Sequence, residues 1–289
     1  MIIGSFGDQY LRALQLQGKL PLNHALTSRP YLATSAKQYD SFFKLIDTSF
    51  RPSSVKQWSF LKLRLMPATL SYKLNSDHPY GWNENGLLSA RGRQTRYTGG
   101  FFAQAGPLSI QLMPEFFTAE NTEYEINGFY GTIPKNRLYH KSYWGQSSVR
   151  LNLLGFSAGI SSENIYWGPG QFNALLMSNN AAGFLHYTFN TTKPIKTPIG
   201  SFEAQVILGR LNQDTVMPFE NYFLKKVPSF RFDRVYSGMN FSFQPKWAPN
   251  FFIGVNRSFQ YREIDVNKSG ASFNQKYLPV FDKIFKFLN

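Results

Sequence analysis

Leu185-His186-Tyr187-Thr188-Phe189-Asn190 alternates large apolar with polar side chains at every step. Successive side chains of a strand point to opposite faces, so this stretch reads as a β-strand with one greasy and one wet face. The same period of two recurs on either side of it. Upstream, Leu61, Leu63 and Leu65 interleave with Lys62 and Arg64, Leu108, Ile110 and Leu112 with Ser109 and Gln111, and Val149, Leu151 and Leu153 with Arg150 and Asn152. Downstream, Phe202, Ala204, Val206 and Leu208 alternate with Glu203 and Gln205, Met239, Phe241 and Phe243 with Asn240, Ser242 and Gln244, and Phe251, Ile253 and Val255 with Gly254 and Asn256. In all, nine such stretches lie between Gln57 and Arg262, and together they make a two-sided sheet.

The connectors between these stretches are alternately tight and long. Gly106-Pro107, the turn around Gly155, the link from Lys193 to Gly200 and the stretch from Pro245 to Pro249 are short. The links from Ala119 to Gln146, Tyr166 to Gly183 and Leu211 to Ser229, and everything after Arg262, are long. A soluble sandwich has no reason to sort its links by parity, whereas an outer-membrane barrel has short periplasmic turns and long outside loops. The expected fold class is therefore all-β, an antiparallel transmembrane β-barrel. An aromatic content of 17% suits lipid-facing girdles. No apolar run reaches the roughly 18 residues of a helical span, and the mean hydropathy of -0.31 fits a chain with one polar face. The absence of cysteine rules out a disulfide scaffold, a zinc-thiolate site and a cysteine nucleophile.

The chain carries 31 Lys plus Arg against 17 Asp plus Glu, a net charge of +14, which implies an acidic partner. Nucleic acid is not the expected one, since no basic helix, RNP-like strand, glycine-rich KH loop or zinc finger is present. Several cations sit on polar strand faces, as Lys62 and Arg64 do, or cluster in Arg91-Gly92-Arg93-Gln94-Thr95-Arg96. Lining a barrel lumen, they suit an anionic polysaccharide or lipopolysaccharide phosphates. Salt bridges to Glu115, Glu163 or Glu203 would instead use them for structure alone.

Catalytic readings are weaker. Gly155-Phe156-Ser157-Ala158-Gly159 fits G-x-S-x-G, but that motif needs a strand before it and a helix after it, and here it is a tight turn between strands. Carboxylate pairs such as Glu115 with Glu120 or Glu123 with Glu125 cannot be placed across a sugar by spacing alone. His24, His78, His140 and His186 share no i, i+3 or i, i+4 spacing, so metal ligation is unsupported. No catalytic residue, metal or cofactor is expected.

Residues 1–56 differ from the rest. Gly7 to Lys19 places Tyr10, Leu11, Leu14 and Leu16 at roughly helical spacing with Asp8 as N-cap, and Ser35 to Ser49 forms a second apolar stripe with Tyr39, Phe42, Phe43, Leu45 and Ile46. The expected organisation is a periplasmic cap of amphipathic helices in 1–56 and barrel strands in 57–289. No secretory signal precedes them, so an upstream or removed segment is expected. Nine strands are an odd number for a bacterial single-chain barrel, and an open edge in lipid is costly, so the chain is expected to be part of a longer barrel.

Two segments carry a family resemblance. One is His78-Pro79-Tyr80-Gly81-Trp82-Asn83-Glu84-Asn85-Gly86-Leu87-Leu88 followed by Arg91-Gly92-Arg93; the other is Ile165-Tyr166-Trp167-Gly168-Pro169-Gly170 followed by Leu175-Leu176-Met177-Ser178-Asn179-Asn180-Ala181. In this order after Arg29-Pro30, they resemble the capsule assembly Wzi family of Gram-negative outer membranes. The resemblance implies a closed barrel of 18 antiparallel strands, of which this chain carries about nine, with helices at the periplasmic side. It implies a lectin of the cell outer membrane, expected as a monomeric barrel in contact with outer-membrane lipid, that holds capsular polysaccharide and is not an enzyme.

Carbohydrate sites pair an aromatic face with amides and charges. The candidates for binding an acidic capsular polysaccharide are Tyr166, Trp167, Asn173, Asn179 and Asn180 in the second segment, with Arg91, Arg93, Lys62 and Arg64. The alternative for Trp167-Gly168-Pro169-Gly170 is a structural turn, with Asn179 and Asn180 closing backbone hydrogen bonds in a loop folded into the lumen. Two other functions stay open: an outer-membrane hydrolase acting on lipid or polysaccharide, and an anion-preferring porin.

Overall fold

Along much of the sheet the strands bury polar side chains and expose apolar ones. On the strand His186–Thr191, the side chains of His186, Thr188 and Asn190 are buried while Tyr187 and Phe189 are 64% and 52% exposed. Ser148–Leu153 repeats the inversion, with Ser148 and Arg150 buried and Val149, Leu151 and Leu153 exposed. A sheet in water does the opposite. A sheet with lipid outside and a polar interior must do this.

The structure is a computed structural model, and it describes residues 6–17, 28–29, 41, 44, 54–57, 60–124, 132–134, 138–170, 172, 174, 176–212, 219–221, 233–249, 251–268, 270, 272 and 277–281. The strands are β1 (Ser28–Arg29), β2 (Ser54–Gln57), β3 (Leu61–Asn75), β4 (Gly92–Ala105), β5 (Leu108–Leu112), β6 (Glu115–Ala119), β7 (Thr132–Pro134), β8 (Tyr139–Tyr143) and β9 (Ser148–Leu153). They continue with β10 (Phe156–Ser161), β11 (Tyr166–Trp167), β12 (His186–Thr191), β13 (Ile195–Thr197), β14 (Gly200–Leu211), β15 (Phe219–Asn221), β16 (Arg234–Pro245) and β17 (Ile253–Arg262). Helix α1 spans Phe6–Leu16, and α2 (Glu263–Lys268) follows the last strand.

Thirteen strands form one sheet, and its pairings are antiparallel. β4 pairs with both β5 and β6, which in turn pair with β9 and β8, so β5–β6 and β8–β9 are two spans, each interrupted once. Pro114 lies in the first break, where a residue without an N–H interrupts a ladder. β12 and β13 both pair with β14, making one further span. Counted in this way, nine spans follow β2 in simple up-and-down order, the number expected from the period of two. Among the described residues no pairing joins β17 to β2. None of the described helices is long and apolar enough to cross a membrane.

The tight turns fall at one end of the sheet and the links 76–91, 120–138, 162–185 and 212–233 at the other. Two of the expected bounds need correction. The link after Ala119 ends at β8, not at Gln146. The link expected from Lys193 to Gly200 holds β13, and its turn narrows to Pro198 and Ile199; the sheet itself begins at Ser54, where β2 pairs with β3. Helix α1 also differs from its expected stripe: it buries Asp8, Leu11, Arg12 and Gln15, spaced at i, i+3, i+4 and i+7, and leaves Tyr10 and Leu16 exposed. A mostly polar buried face suits a helix packed against a polar interior, and Arg12 Nη2 donates to the carbonyl of Pro169. The second expected helix, Ser35 to Ser49, lies outside the described residues apart from 41 and 44.

Candidate functional site

The two motif segments fold inward from the long-link end, and each has its own apolar seat. Leu87, Leu88 and Ala90 of the first segment pack on Phe117, Tyr139 and Tyr143, whose rings lie 5.5 to 5.6 Å apart. Ile165, Trp167 and Met177 of the second pack with Phe184, Ile207, Leu211 and Tyr236. Trp167 is 0% exposed, and its indole N–H donates to Gln205 Oε1 at 2.9 Å. Room for the ring comes from Gly238 of β16, where a Cβ would stand 2.8 Å from two ring carbons.

Between the seats lies a layer of buried polar groups. Arg150 Nη2 donates to Glu163 Oε2 at 2.9 Å and its Nη1 to Asn190 Oδ1 at 3.0 Å. Gln111 donates to the other Glu163 oxygen at 3.0 Å, and Ser161 donates to Oε2 at 2.9 Å. Gln146 Nε2 bridges Glu115 Oε1 at 3.2 Å and Asn164 Oδ1 at 2.8 Å. Burial pushes the Glu163 carboxyl up, but the adjacent Arg150 guanidinium and the hydrogen bonds it receives outweigh this and hold it below its ordinary value.

An amide clamp joins the two segments. Asn85 N–H donates to the Asn179 carbonyl at 2.7 Å, and Asn179 Nδ2 returns a bond to the Asn83 carbonyl at 2.7 Å. Asn83 N–H donates to Asn180 Oδ1 at 2.6 Å. Trp82 Nε1 and Asn83 Nδ2 both donate to the Phe172 carbonyl, at 3.0 and 2.7 Å. Asn83 and Asn85 both have φ of 56°, a conformation that asparagine tolerates and that turns both main-chain groups toward the partner loop. β1 adds the third mark of the resemblance, since Ser28 and Arg29 pair with Trp167 and Tyr166.

A family model described as "Capsule assembly protein Wzi" matches residues 75–278. The chain belongs to the capsule assembly Wzi family. Both inward-folded segments lie within the match, which begins at the last residue of β3. Membership gives this Wzi-family chain a role in capsule assembly at the outer membrane, in keeping with strands that bury polar and expose apolar side chains. No curated protein and no solved structure matches it.

The structure separates the candidates read from sequence. Tyr166, Trp167 and Asn179 are all buried, Trp167 in its apolar seat and Asn179 in the clamp. Asn180 is exposed and joins the clamp; Asn173 lies outside the described residues. Arg91 donates to the carbonyls of Ser76 at 3.1 Å and Glu123 at 2.5 Å, so it braces two long links. Arg93 is exposed beside Glu120, its Nε 4.0 Å from Oε1. Lys62 and Arg64 stand near the tight-turn end of β3, opposite Gln104 and Phe102, far from the clamp. Arg64 is buried and donates to the Leu63 carbonyl at 3.0 Å. Glu163, an expected lumen partner for cations, is paired with Arg150.

Sequence reasoning gave little weight to the rings that the clamp leaves exposed at its edge. Tyr80, Trp82 and Phe172 are 59%, 47% and 67% exposed at the long-link end. Lys73 lies 5.3 Å from the centre of the Tyr80 ring and pairs with Glu84 at 2.6 Å. Ser157 is buried on β10 opposite Asn190, with strand on both sides of its turn and no helix after it. Among the described residues no group of three or more His, Asp or Glu could hold a metal ion.

Proposed function

We propose that the protein binds capsular polysaccharide at the cell surface and retains it there, without catalysing a reaction. The observation that carries this reading is the division of labour at the clamp. The buried tryptophan and amides fix the two loops, while Tyr80, Trp82 and Phe172 remain as exposed rings beside the exposed amide of Asn180. Exposed rings on a braced loop pair suit the C–H faces of sugars, and neighbouring amides suit their hydroxyls. The net charge of +14 would draw an acidic polymer from a distance, an attraction that salt screens.

The test uses the full chain folded in detergent and purified acidic and neutral capsular polysaccharides at low and high salt. Replacing Trp82 and Phe172 together by Ala is expected to weaken binding about tenfold, a loss of about 1.4 kcal/mol, while stability changes by no more than about 0.5 kcal/mol because the indole bond that is lost lies in solvent. Undiminished binding by a folded double variant would overturn the assignment to these rings. A steady anion-selective conductance in planar bilayers would favour a porin instead.

A further inference from the structure

The tight turns form a rim of their own. Asn152 N–H donates to the Pro107 carbonyl at 2.9 Å, Thr192 N–H to Gly155 at 2.8 Å and Lys246 N–H to Ile199 at 2.9 Å, so neighbouring turns are tied to one another. Their tips are large and apolar: Leu154 is 98% exposed, Trp247 82% and Ile199 69%. Leu154 also has φ of 50°, a position that two-residue hairpins in water give to Asn, Asp or Gly. A leucine held there, in full exposure, fits an apolar surrounding.

Each apolar tip has a cation beside it. Lys193 reaches the Leu154-Gly155 turn, its Cε 3.9 Å from where a Cβ of Gly155 would stand. Lys246 is next to Trp247 and bonded to Ile199, and Lys196 precedes Ile199 by three residues. All three lysines are exposed, and none is ion-paired among the described residues. No Asp or Glu occurs in 104–109, 152–157, 191–202 or 243–254. At the long-link end, by contrast, Glu84, Glu120, Asp233, Glu263 and Asp265 each face a lysine or arginine.

We propose that this rim binds anionic glycerophospholipid in the leaflet at the turn side. Leu154, Ile199 and Trp247 enter the acyl boundary, and Lys193, Lys196 and Lys246 hold headgroup phosphates. The inference rests on the reading of the sheet as a membrane barrel. A soluble partner would need a groove or a flat apolar patch, whereas these tips stand on separate turns, each with its own cation. A basic residue near an anionic leaflet is worth roughly fivefold in partitioning.

The full chain is inserted into phosphatidylcholine vesicles with and without phosphatidylglycerol, and Trp247 fluorescence is isolated by difference from Trp247→Phe. Brominated phosphatidylglycerol is expected to quench Trp247 severalfold more effectively than brominated phosphatidylcholine at equal mole fraction. Lys193→Gln, Lys196→Gln and Lys246→Gln together should abolish the difference, and high salt should reduce it. Equal quenching by both lipids in the parent chain would overturn the proposal. Absence of quenching by either, from a chain shown by protease protection to be inserted, would place the tip in water or against a protein and overturn it too. Failure to insert into any vesicle would bring down the membrane reading itself.

Discussion

The segment from Ser161 to Ala181 has a buried half and an exposed half, and they obey different rules. Glu163, Trp167 and Asn179 are sealed inside the sheet, whereas Phe172 and Asn180 stand in solvent a few residues away. The first segment divides likewise, with Asn85 and Ala90 buried and Tyr80 and Trp82 exposed. On the strands the sorting is inverted, polar inside and apolar outside. The loops that fold inward restore apolar seats within that polar interior. Residue type therefore says little about role here: Trp167 and Trp82 both come from motif segments, yet one is sealed in an apolar seat and the other, bonded through its indole N–H to the Phe172 carbonyl, keeps an exposed ring.

The sharpest way to break this comparison is at the two tryptophans. Trp167→Ala removes a fully buried ring from the cluster with Ile207 and Tyr236 and takes the indole N–H from Gln205 Oε1. The expected cost is about 3–5 kcal/mol, read as an earlier urea midpoint in detergent, while the fraction that folds keeps its polysaccharide affinity. Equal stability of the parent and Trp167→Ala would remove the packing role. Trp82→Ala loses only a solvent-exposed bond to the Phe172 carbonyl and should change stability by no more than about 0.5 kcal/mol.

A pH series probes the polar layer. The carboxyl of Glu163 is lowered below its ordinary value in the folded protein, so its contribution to stability is fully present above the ordinary carboxylate range. That contribution fades as pH falls through the folded-state value. Glu163→Gln lacks this titration and leaves Arg150 buried without its counter-charge, so it is less stable at neutral pH. The stability gap between parent and variant should narrow on acidification below the ordinary Glu range. A gap that stays constant across the series would show that the pair is not coupled to folding.

The strands were legible because a period of two is a direct imprint of lipid on one face and a polar interior on the other. The nine spans and the sorting of turns by end both follow from it. β8 was missed for a physical reason. Its inward residues are Tyr139, Lys141 and Tyr143, and its outward ones His140 and Ser142, so it shows no apolar outer face to count. The clamp was half legible. Asn179 and Asn180 were open to a role in closing backbone hydrogen bonds, but their partners Asn83 and Asn85 lie more than 90 residues away. No local pattern reports such a pairing. The exposed rings were likewise undecidable until the buried ones had been placed.

The finest comparison sets Asn179 against its neighbour Asn180, since both bond to the main chain of Asn83, one as a buried donor and the other as an exposed acceptor. Asn179→Ala takes the Nδ2 donor from the half-buried Asn83 carbonyl, and an acceptor left unmet there costs about 1 kcal/mol, the low end of the range for a buried group. Asn180→Ala takes the Oδ1 acceptor from the Asn83 N–H in solvent, where water can replace it, so the change should fall within about 0.5 kcal/mol. The urea midpoints of the two variants decide the matter. A larger loss at Asn180 would mean that the clamp is held from its exposed side. A loss confined to Asn179 would tie the loop pair to its buried amides, leaving the exposed face free for the polysaccharide of the proposed function.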